Sequence, residues 1–250
     1  MSTPIFTGAG VALITPMNSD GSVNFDELGR LLEFQIENGT DAIIACGTTG
    51  EAATLSVEEH KAVLSYVAEK VNKRIPVIAG TGSNDTATAI SLSKSAQKYG
   101  ADGLLSVTPY YNKTSQAGLV KHFTTIADSV DLPIILYNVP SRTGCNMQPK
   151  TYAELEKHQN IVGVKEANGD ISSVSLTRSL CSDDFAIYSG NDDQTVPFMS
   201  LGGKGVISVF SNFCPKEMHE ICQACLDNDF QRAAEMNFHF VELMDIMFSD

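Results

Sequence analysis

The chain contains the run Ile161-Val162-Gly163-Val164-Lys165-Glu166-Ala167, whose length and β-branched residues are typical of a buried strand. Seven similar runs occur, and amphipathic stretches separate them. The strand candidates cover residues 11–15, 42–46, 76–80, 103–108, 133–138, 161–165, 185–189 and 205–209. Eight strands that alternate with helices are typical of a (β/α)8 barrel rather than a doubly wound sheet. We therefore predict an α/β protein with a TIM-barrel fold.

Helix candidates fill the intervals between the strand candidates. They cover residues 25–37, 57–73, 86–99, 116–130, 150–157, 171–180, 194–201 and 216–226. Two open with cap signals, because Asn24 lies three residues before Glu27 and Ser56 three before Glu59. A further amphipathic stretch covers 230–248. We predict a barrel domain at 1–226 and the start of a C-terminal helical extension at 227–250, whose pattern stops without a closing cap, as in a truncated protein.

Composition narrows the class of partner. Hydrophobic residues make up 43% of the chain, enough for a large core, and the formal net charge is −13 without any lysine or arginine cluster. This argues against nucleic acid and against anionic membranes, and it favours a small-molecule ligand. The start of the chain lacks a secretion signal, no apolar stretch approaches the roughly 20 residues of a membrane span, and the six cysteines are scattered. We expect a cytoplasmic protein with free thiols.

Lys165 closes the sixth strand candidate, at the end of the barrel where active sites are built. Burial of an ammonium group is costly, which favours the neutral amine, a nucleophile toward carbonyl carbons. That chemistry is Schiff-base formation. The residues alone leave an alternative open, in which Lys165 ends an edge strand and extends to water.

Polar residues also follow other strand candidates. Thr48 and Thr49 lie in a glycine-flanked turn that could hold a carboxylate, and Tyr111 and Tyr137 could relay protons. Arg142 suits bidentate binding of a second carboxylate. Each also has an ordinary interpretation, as a turn cap, a strand tyrosine or a surface charge. Their placement around one barrel mouth favours an active site.

The order and spacing of four segments resemble the dihydrodipicolinate synthases, within the lysine-dependent pyruvate aldolases that include N-acetylneuraminate lyase. The segments are 47–51 (GTTGE), 108–112 (TPYYN), 137–144 (YNVPSRTG) and 163–167 (GVKEA). The resemblance extends from about Gly8 to Phe248. The Gly-Thr-Thr-Gly-Glu turn, the tyrosine and the lysine are shared across the superfamily, whereas Ser-Arg-Thr-Gly at 141–144 distinguishes the synthases.

The resemblance implies a reaction and roles for four residues. Lys165 would form an imine with pyruvate, and the derived enamine would attack the aldehyde of aspartate semialdehyde on the route to lysine. Tyr137, Thr49 and Tyr111 would relay protons, with Tyr111 reaching in from a neighbouring subunit. The family therefore implies a homo-oligomer, a dimer of dimers. A hydroxyl network supplies the protons that an amine nucleophile needs, so no metal and no organic cofactor are expected.

Substrate-binding roles follow from the same resemblance. Thr48 and Thr49 would hold the carboxylate of pyruvate, and Arg142 the carboxylate of the semialdehyde. The backbone near Gly190 and Ile207 would line the pocket. Two alternatives stay open: another pyruvate aldolase, for example a sialic-acid or keto-deoxy-sugar lyase, and a barrel that binds a keto acid without turning it over.

The family's lysine-inhibited members have an effector site at a subunit interface, whose matching residues here are His60, Asn84 and Tyr110. A carboxylate that these members carry four positions after the asparagine is replaced by Thr88, and Val57 stands where a second histidine is often found. The ammonium of lysine would lose its charge partner, so we predict weak or absent feedback.

A Cys-x-x-Cys pair at Cys222 and Cys225, preceded by His219, could indicate a metal or redox site. Met218, Ile221 and Leu226 share the helical spacing of the two cysteines, which favours one apolar helix face in the core instead. The five histidines lie on helical or loop stretches away from strand ends, and we interpret them as surface or packing residues.

Overall fold

A computed structural model of the protein describes residues 4–248. Eight parallel strands close into a barrel in chain order, so the predicted TIM-barrel fold is confirmed. The strands are β1 (Gly8–Ala12), β2 (Ala42–Ala45), β3 (Val77–Gly80), β4 (Gly103–Val107), β5 (Ile134–Asn138), β6 (Ile161–Glu166), β7 (Ala186–Ser189) and β8 (Gly205–Ser208). Residues 1–3 and 249–250, the outermost residues of the two predicted domains, lie outside the described range.

Ten α-helices accompany the strands within the described residues. They are α1 (Phe25–Glu37), α2 (Val57–Val71), α3 (Thr86–Tyr99), α4 (Gln116–Ala127), α5 (Pro140–Thr143), α6 (Pro149–Leu155), α7 (Ile171–Leu180), α8 (Thr195–Ser200), α9 (Pro215–Leu226) and α10 (Phe230–Ile246). Single 3-10 turns occur at Asp192–Gln194 and Phe210–Asn212. Among residues 4–248 we find no helix with both the length and the apolar character needed to cross a membrane.

Both predicted helix caps are confirmed. The Asn24 side chain accepts a hydrogen bond from the Glu27 amide at 2.9 Å. At α2 the Ser56 hydroxyl accepts from the Glu59 amide at 3.2 Å, and the Glu59 carboxylate accepts from the Ser56 amide at 2.9 Å. This reciprocal capping box satisfies two amides that the first turn leaves without helical partners.

The first strand begins three residues before its predicted position, and the prediction of 11–15 is wrong. Glycines are poor strand formers, yet here they are needed for close approach: Gly8 pairs with Gly205 of β8, and a Cβ on Gly205 would lie 1.9 Å from the Gly8 carbonyl oxygen. The strand ends early because the Ile14 amide donates to the Asn212 side chain at 3.1 Å. The other seven strands agree with prediction to within one residue at either end.

Several helical segments differ from expectation: α4 ends at Ala127 rather than at residue 130, and α6 ends at Leu155 rather than at residue 157. The four-residue helix α5 was not predicted, because it is too short to carry an apolar period. The segment predicted at 194–201 begins as the 3-10 turn Asp192–Gln194 before it becomes α8. α2 ends at Val71 because Asn72 adopts a left-handed conformation with φ 48°.

The core has an inner layer that fills the barrel and an outer layer between strands and helices. Ile44, Ile135, Tyr137, Tyr188 and Ile207 belong to the inner layer. The outer layer packs β-strand residues against the helices. Because successive strand residues point to opposite faces, the side chains of two neighbouring residues at a strand end lie in different layers, one inside the barrel and one against the helices.

A third cluster joins α9 and α10 to the barrel. Met218, Ile221 and Cys222 are fully buried in it, and Cys225 is nearly so, which confirms the core interpretation of the Cys-x-x-Cys pair. Leu226 was expected on this face but is 40% exposed, so that part of the prediction is wrong. α10 packs along the same cluster, with the Phe240 ring 5.3 Å from the Phe210 ring.

Candidate active site

Lys165 lies inside the barrel, at the carboxyl end of β6. Only 4% of the residue is exposed, and β6 is hydrogen-bonded to β5 on one side and β7 on the other. The alternative of a lysine on an edge strand is therefore wrong. The Lys165 Nζ lies 4.5 Å from the centre of the Tyr137 ring. The contact places the amine over the face of that ring.

Gly190 and Ile207 border the same space. A Cβ at Gly190 would lie 3.2 Å from Cε of Lys165, so a side chain there would press on the lysine. Ile207 is fully buried in the inner layer together with Tyr137. The absence of a side chain at Gly190 therefore leaves space beside the end of the Lys165 side chain.

A cavity of about 400 Å³ opens at the carboxyl ends of β2 to β5. Thr48, Tyr137 and Arg142 of the predicted site line it, and so do His60 and Tyr110 of the predicted effector set. Lys165 and Thr49 are not among the lining residues. The Lys165 Nζ lies 4.5 Å from the ring of Tyr137, which does line the cavity, and Thr49 is half-buried in the turn beside Thr48.

The loop that carries Arg142 is held by a local hydrogen-bond pattern. Arg142 lies on α5, and its amide donates to the Val139 carbonyl at 3.0 Å. The Thr143 hydroxyl accepts from the Thr108 hydroxyl at the end of β4, at 3.2 Å, and Gly144 ends the helix with φ 67°. The Arg142 side chain is exposed at the rim of the cavity.

Tyr111 does not enter the mouth of its own barrel. It is 91% exposed and has φ 68°, a left-handed conformation that is uncommon for a tyrosine. The structure therefore brings together Lys165, Tyr137, Gly190 and Ile207, and sets Tyr111 apart from them.

The predicted effector residues lie next to one another. The Asn84 side chain donates to the Tyr110 carbonyl at 3.2 Å, and His60 shares the cavity lining with Tyr110. His60 was predicted to lie away from the strand ends, and this prediction is wrong. Its Nε2 is hydrogen-bonded to the carbonyl of Gly80 at the end of β3, at 2.9 Å. Burial lowers the pKa of His60 and so favours the neutral ring. Thr88 hydrogen-bonds to Asp85 as part of the α3 cap, at 2.6 Å.

A buried carboxylate beside Lys165 was missed from the sequence. Glu166 is 3% exposed and accepts hydrogen bonds from the Tyr152 phenol at 2.6 Å, the Asn138 side chain at 2.9 Å and the Asn168 amide at 3.0 Å. Burial raises the pKa of Glu166 to about 7, although these donors act in the opposite direction. The signal was present, since a second charged residue in an apolar strand is as unusual as the first.

Asp192 is a second buried carboxylate near the mouth, in the 3-10 turn after β7. Its Oδ2 accepts from the amides of Val209 and Phe210 at 3.0 and 3.1 Å, which fixes the turn after β8. Burial raises the pKa of Asp192. Two acidic residues, Asp192 and Asp193, follow the seventh strand candidate after Gly190 and Asn191, and they could have indicated this carboxylate.

The arrangement has the chemistry of amine catalysis. A buried amine, a phenol on the adjacent strand and threonine hydroxyls at the rim can form an imine and move the protons that its formation requires. Within residues 4–248, we find no group of three or more histidine, cysteine or acidic side chains that could hold a metal ion.

Comparison with known proteins places the chain in a family. The model of the dihydrodipicolinate synthetase family matches residues 5–250. The 4-hydroxy-tetrahydrodipicolinate synthase of Acetivibrio thermocellus is 56% identical over 248 residues, which cover 99% of this chain and 84% of that protein.

Two solved structures have the same fold. The chloride-inhibited dihydrodipicolinate synthase of Acinetobacter baumannii, complexed with pyruvate, is 46% identical with a TM-score of 0.96, and the match covers 98% of this chain and 84% of that one. The enzyme of Cyanidioschyzon merolae with lysine bound is 40% identical with a TM-score of 0.96, and covers 99% and 85%. Sequence and structure agree over almost the whole chain, which belongs to the dihydrodipicolinate synthetase family.

Proposed function

We propose that the protein is a 4-hydroxy-tetrahydrodipicolinate synthase, a lyase that condenses pyruvate with L-aspartate 4-semialdehyde. The observation that carries the proposal is the buried Lys165 amine 4.5 Å from the Tyr137 ring at the mouth of the barrel. The A. thermocellus relative bears that enzyme name, and the A. baumannii structure is a complex with pyruvate.

The proposed reaction begins with attack of the neutral Lys165 amine on the keto carbon of pyruvate, and water leaves as the imine forms. Loss of a methyl proton gives an enamine, whose carbon attacks the aldehyde and makes the new carbon–carbon bond. The amine of the semialdehyde then adds to the imine carbon, displaces Lys165 and closes the ring. Tyr137 and Thr49 are the proposed proton carriers, because both have hydroxyl groups that can relay protons and the Tyr137 ring lies 4.5 Å from the Lys165 amine.

The remaining site residues are assigned to binding. Thr48 and Thr49 are proposed to hold the pyruvate carboxylate, with Gly190 and Ile207 lining its pocket. Tyr111 is proposed to complete the proton relay of a neighbouring subunit. Its 91% exposure supports that role, because a large aromatic side chain is rarely left in water without a partner surface. The proposed assembly is a homo-oligomer, a dimer of dimers.

We also propose that the catalytic barrel comprises residues 1–226 and that 227–250 begin a helical extension. All six cysteines are free thiols, which supports a reducing compartment, the cytoplasm.

Arg142 is the proposed partner of the semialdehyde carboxylate. Replacement Arg142→Ala removes charge-assisted hydrogen bonds worth about 1.5–3 kcal/mol, so we expect KM for the semialdehyde to rise roughly 10- to 100-fold. Borohydride trapping of pyruvate on the enzyme should be unchanged, since Arg142 serves the second substrate. Steady-state kinetics with each substrate varied in turn measures the effect. A comparable rise in KM for pyruvate would contradict the assignment.

Feedback by lysine should be weak or absent. Thr88 offers the effector's ammonium no negative charge, and its hydroxyl is already engaged with Asp85. The measurement is an inhibition curve with L-lysine, and the matched variant is Thr88→Glu, which restores the carboxylate that inhibited relatives carry. We expect this variant to be more sensitive than the natural protein. Half-inhibition of the natural protein by sub-millimolar lysine would contradict the prediction.

The substrate is tested by direct comparison. A coupled assay that supplies pyruvate with aspartate semialdehyde should give turnover, and the same enzyme should not cleave N-acetylneuraminate or a keto-deoxy sugar acid. Cleavage of either sugar acid with no condensation would favour another pyruvate aldolase. Failure to turn over any of them, with pyruvate still bound, would favour the non-catalytic barrel.

A further inference from the structure

Glu166 follows Lys165 directly, but its side chain leaves the opposite face of β6. Lys165 packs against Tyr137 inside the barrel, whereas Glu166 accepts from the phenol of Tyr152 on α6. A carboxylate that is 3% exposed is costly to bury, and an apolar residue of similar size would serve packing alone better. The position of Glu166 therefore indicates a role beyond packing.

The Glu166 carboxylate connects three parts of the chain. It accepts from Tyr152 of α6 at 2.6 Å, from Asn138 of β5 at 2.9 Å, and from the Asn168 amide in the loop after β6 at 3.0 Å. Asn138 cannot turn over freely, because its side-chain oxygen accepts from the Met147 amide at 3.0 Å. Charge-assisted bonds of this kind are short and directional, so the carboxylate fixes the relative positions of its donors.

Strand register transmits this restraint to the active site. Asn138 is paired with Glu166 in the same ladder that pairs Tyr137 with Lys165, one residue earlier on each strand. The hydrogen bond between the side chains of Asn138 and Glu166, on the outer face of the barrel, therefore sets the spacing of Tyr137 and Lys165 on the inner face. The Glu166 carbonyl also accepts from the Gly190 amide at 2.8 Å, and Gly190 borders the end of Lys165.

We propose that Glu166 is a positioning residue, which holds Lys165 and Tyr137 at the separation that imine formation requires. It acts through the Asn138 and Tyr152 bonds on the outer face of β6 and does not touch the substrate. This inference deepens the proposed function and rests on it, because the geometry matters only if Lys165 forms an imine.

The test measures how fast pyruvate becomes attached to the enzyme. Glu166→Gln keeps the size of the side chain, but its amide nitrogen would face donors, so at least one bond of the network is lost. After mixing with pyruvate, borohydride quenches at increasing times and mass spectrometry counts the adduct. We expect the maximal rate to fall roughly 10- to 100-fold, with the half-saturating pyruvate concentration within about twofold of the natural protein. Loss of rate without loss of binding is what a purely structural role would not produce.

Tyr152→Phe is the second variant, since it removes one donor to the same carboxylate without burying a new polar group. We expect its rate to fall by about 3- to 10-fold. Thr177→Val is the matched control: it removes one buried hydroxyl from α7, the helix that follows β6, and should retain the natural rate. Thermal unfolding of each variant separates loss of fold from loss of rate.

The outcomes distinguish the two proposals. No adduct on the natural protein would overturn the proposed function itself. A natural rate in Glu166→Gln, or a fall matched by Thr177→Val, would overturn the role of Glu166 alone. If Glu166→Gln does not fold, Tyr152→Phe decides, and a natural rate in that variant overturns the inference.

Discussion

Replacement Lys165→Arg should abolish the pyruvate adduct and lower kcat by at least about 10⁴-fold, the loss typical of a missing nucleophile. A guanidinium can also lie over the Tyr137 ring, but it is not deprotonated in proteins and cannot form the imine. Steady-state kinetics and borohydride trapping measure the two effects.

The control for this variant is Lys94→Arg. Lys94 is an exposed lysine on α3, away from the barrel mouth, and the same exchange there should leave kcat and the adduct unchanged. Because Lys165 is 4% exposed, Lys165→Arg also needs a thermal-unfolding measurement. A folded Lys165→Arg protein with kcat within tenfold of the natural one would contradict the imine mechanism.

Tyr137→Phe should lower kcat by roughly 10²- to 10³-fold, since it removes the hydroxyl proposed to move protons during imine formation. The ring is retained, so its contact with the Lys165 amine and its place in the inner layer should remain. We expect KM for pyruvate to change by less than about threefold, because the loss belongs to the chemical step rather than to binding.

Tyr188→Phe provides a matched control, because it makes the same change on β7. The Tyr188 phenol donates to the Phe6 carbonyl at 2.7 Å, on the amino-terminal side of β1, and not to the site. Its loss should cost about 1 kcal/mol of stability and little activity. Equal kcat losses in Tyr137→Phe and Tyr188→Phe would indicate a general packing effect and contradict the proton-relay role.

The fold was largely predictable because seven of the eight strands carry β-branched or long apolar residues between turn signals. The predicted position of the first strand was wrong because Gly8 and Gly10 have no apolar side chain that would indicate a buried strand, although their backbones pair with β8. The close approach of the Gly8 and Gly205 backbones depends on tertiary packing, and the strand propensity of the local residues does not predict it.

The site was predictable where a single residue is chemically unusual in its local setting. Lys165 in an apolar strand is such a residue, and strand alternation implies that Glu166 points the other way. The sequence does not indicate which side chains lie opposite Glu166 on the outer face of β6. The hydrogen bonds from Tyr152 and Asn138 to Glu166 therefore became apparent only from the structure. Likewise, the exposure of Tyr111 depends on a left-handed turn that no local pattern signals.

The central claim is that Lys165 is the amine that binds pyruvate. Its most direct test is incubation of the natural protein with pyruvate, reduction with borohydride, and mapping of the modified peptide by mass spectrometry. The mechanism predicts one adduct per chain, located on Lys165. An adduct on any other lysine, or none at all, would contradict it.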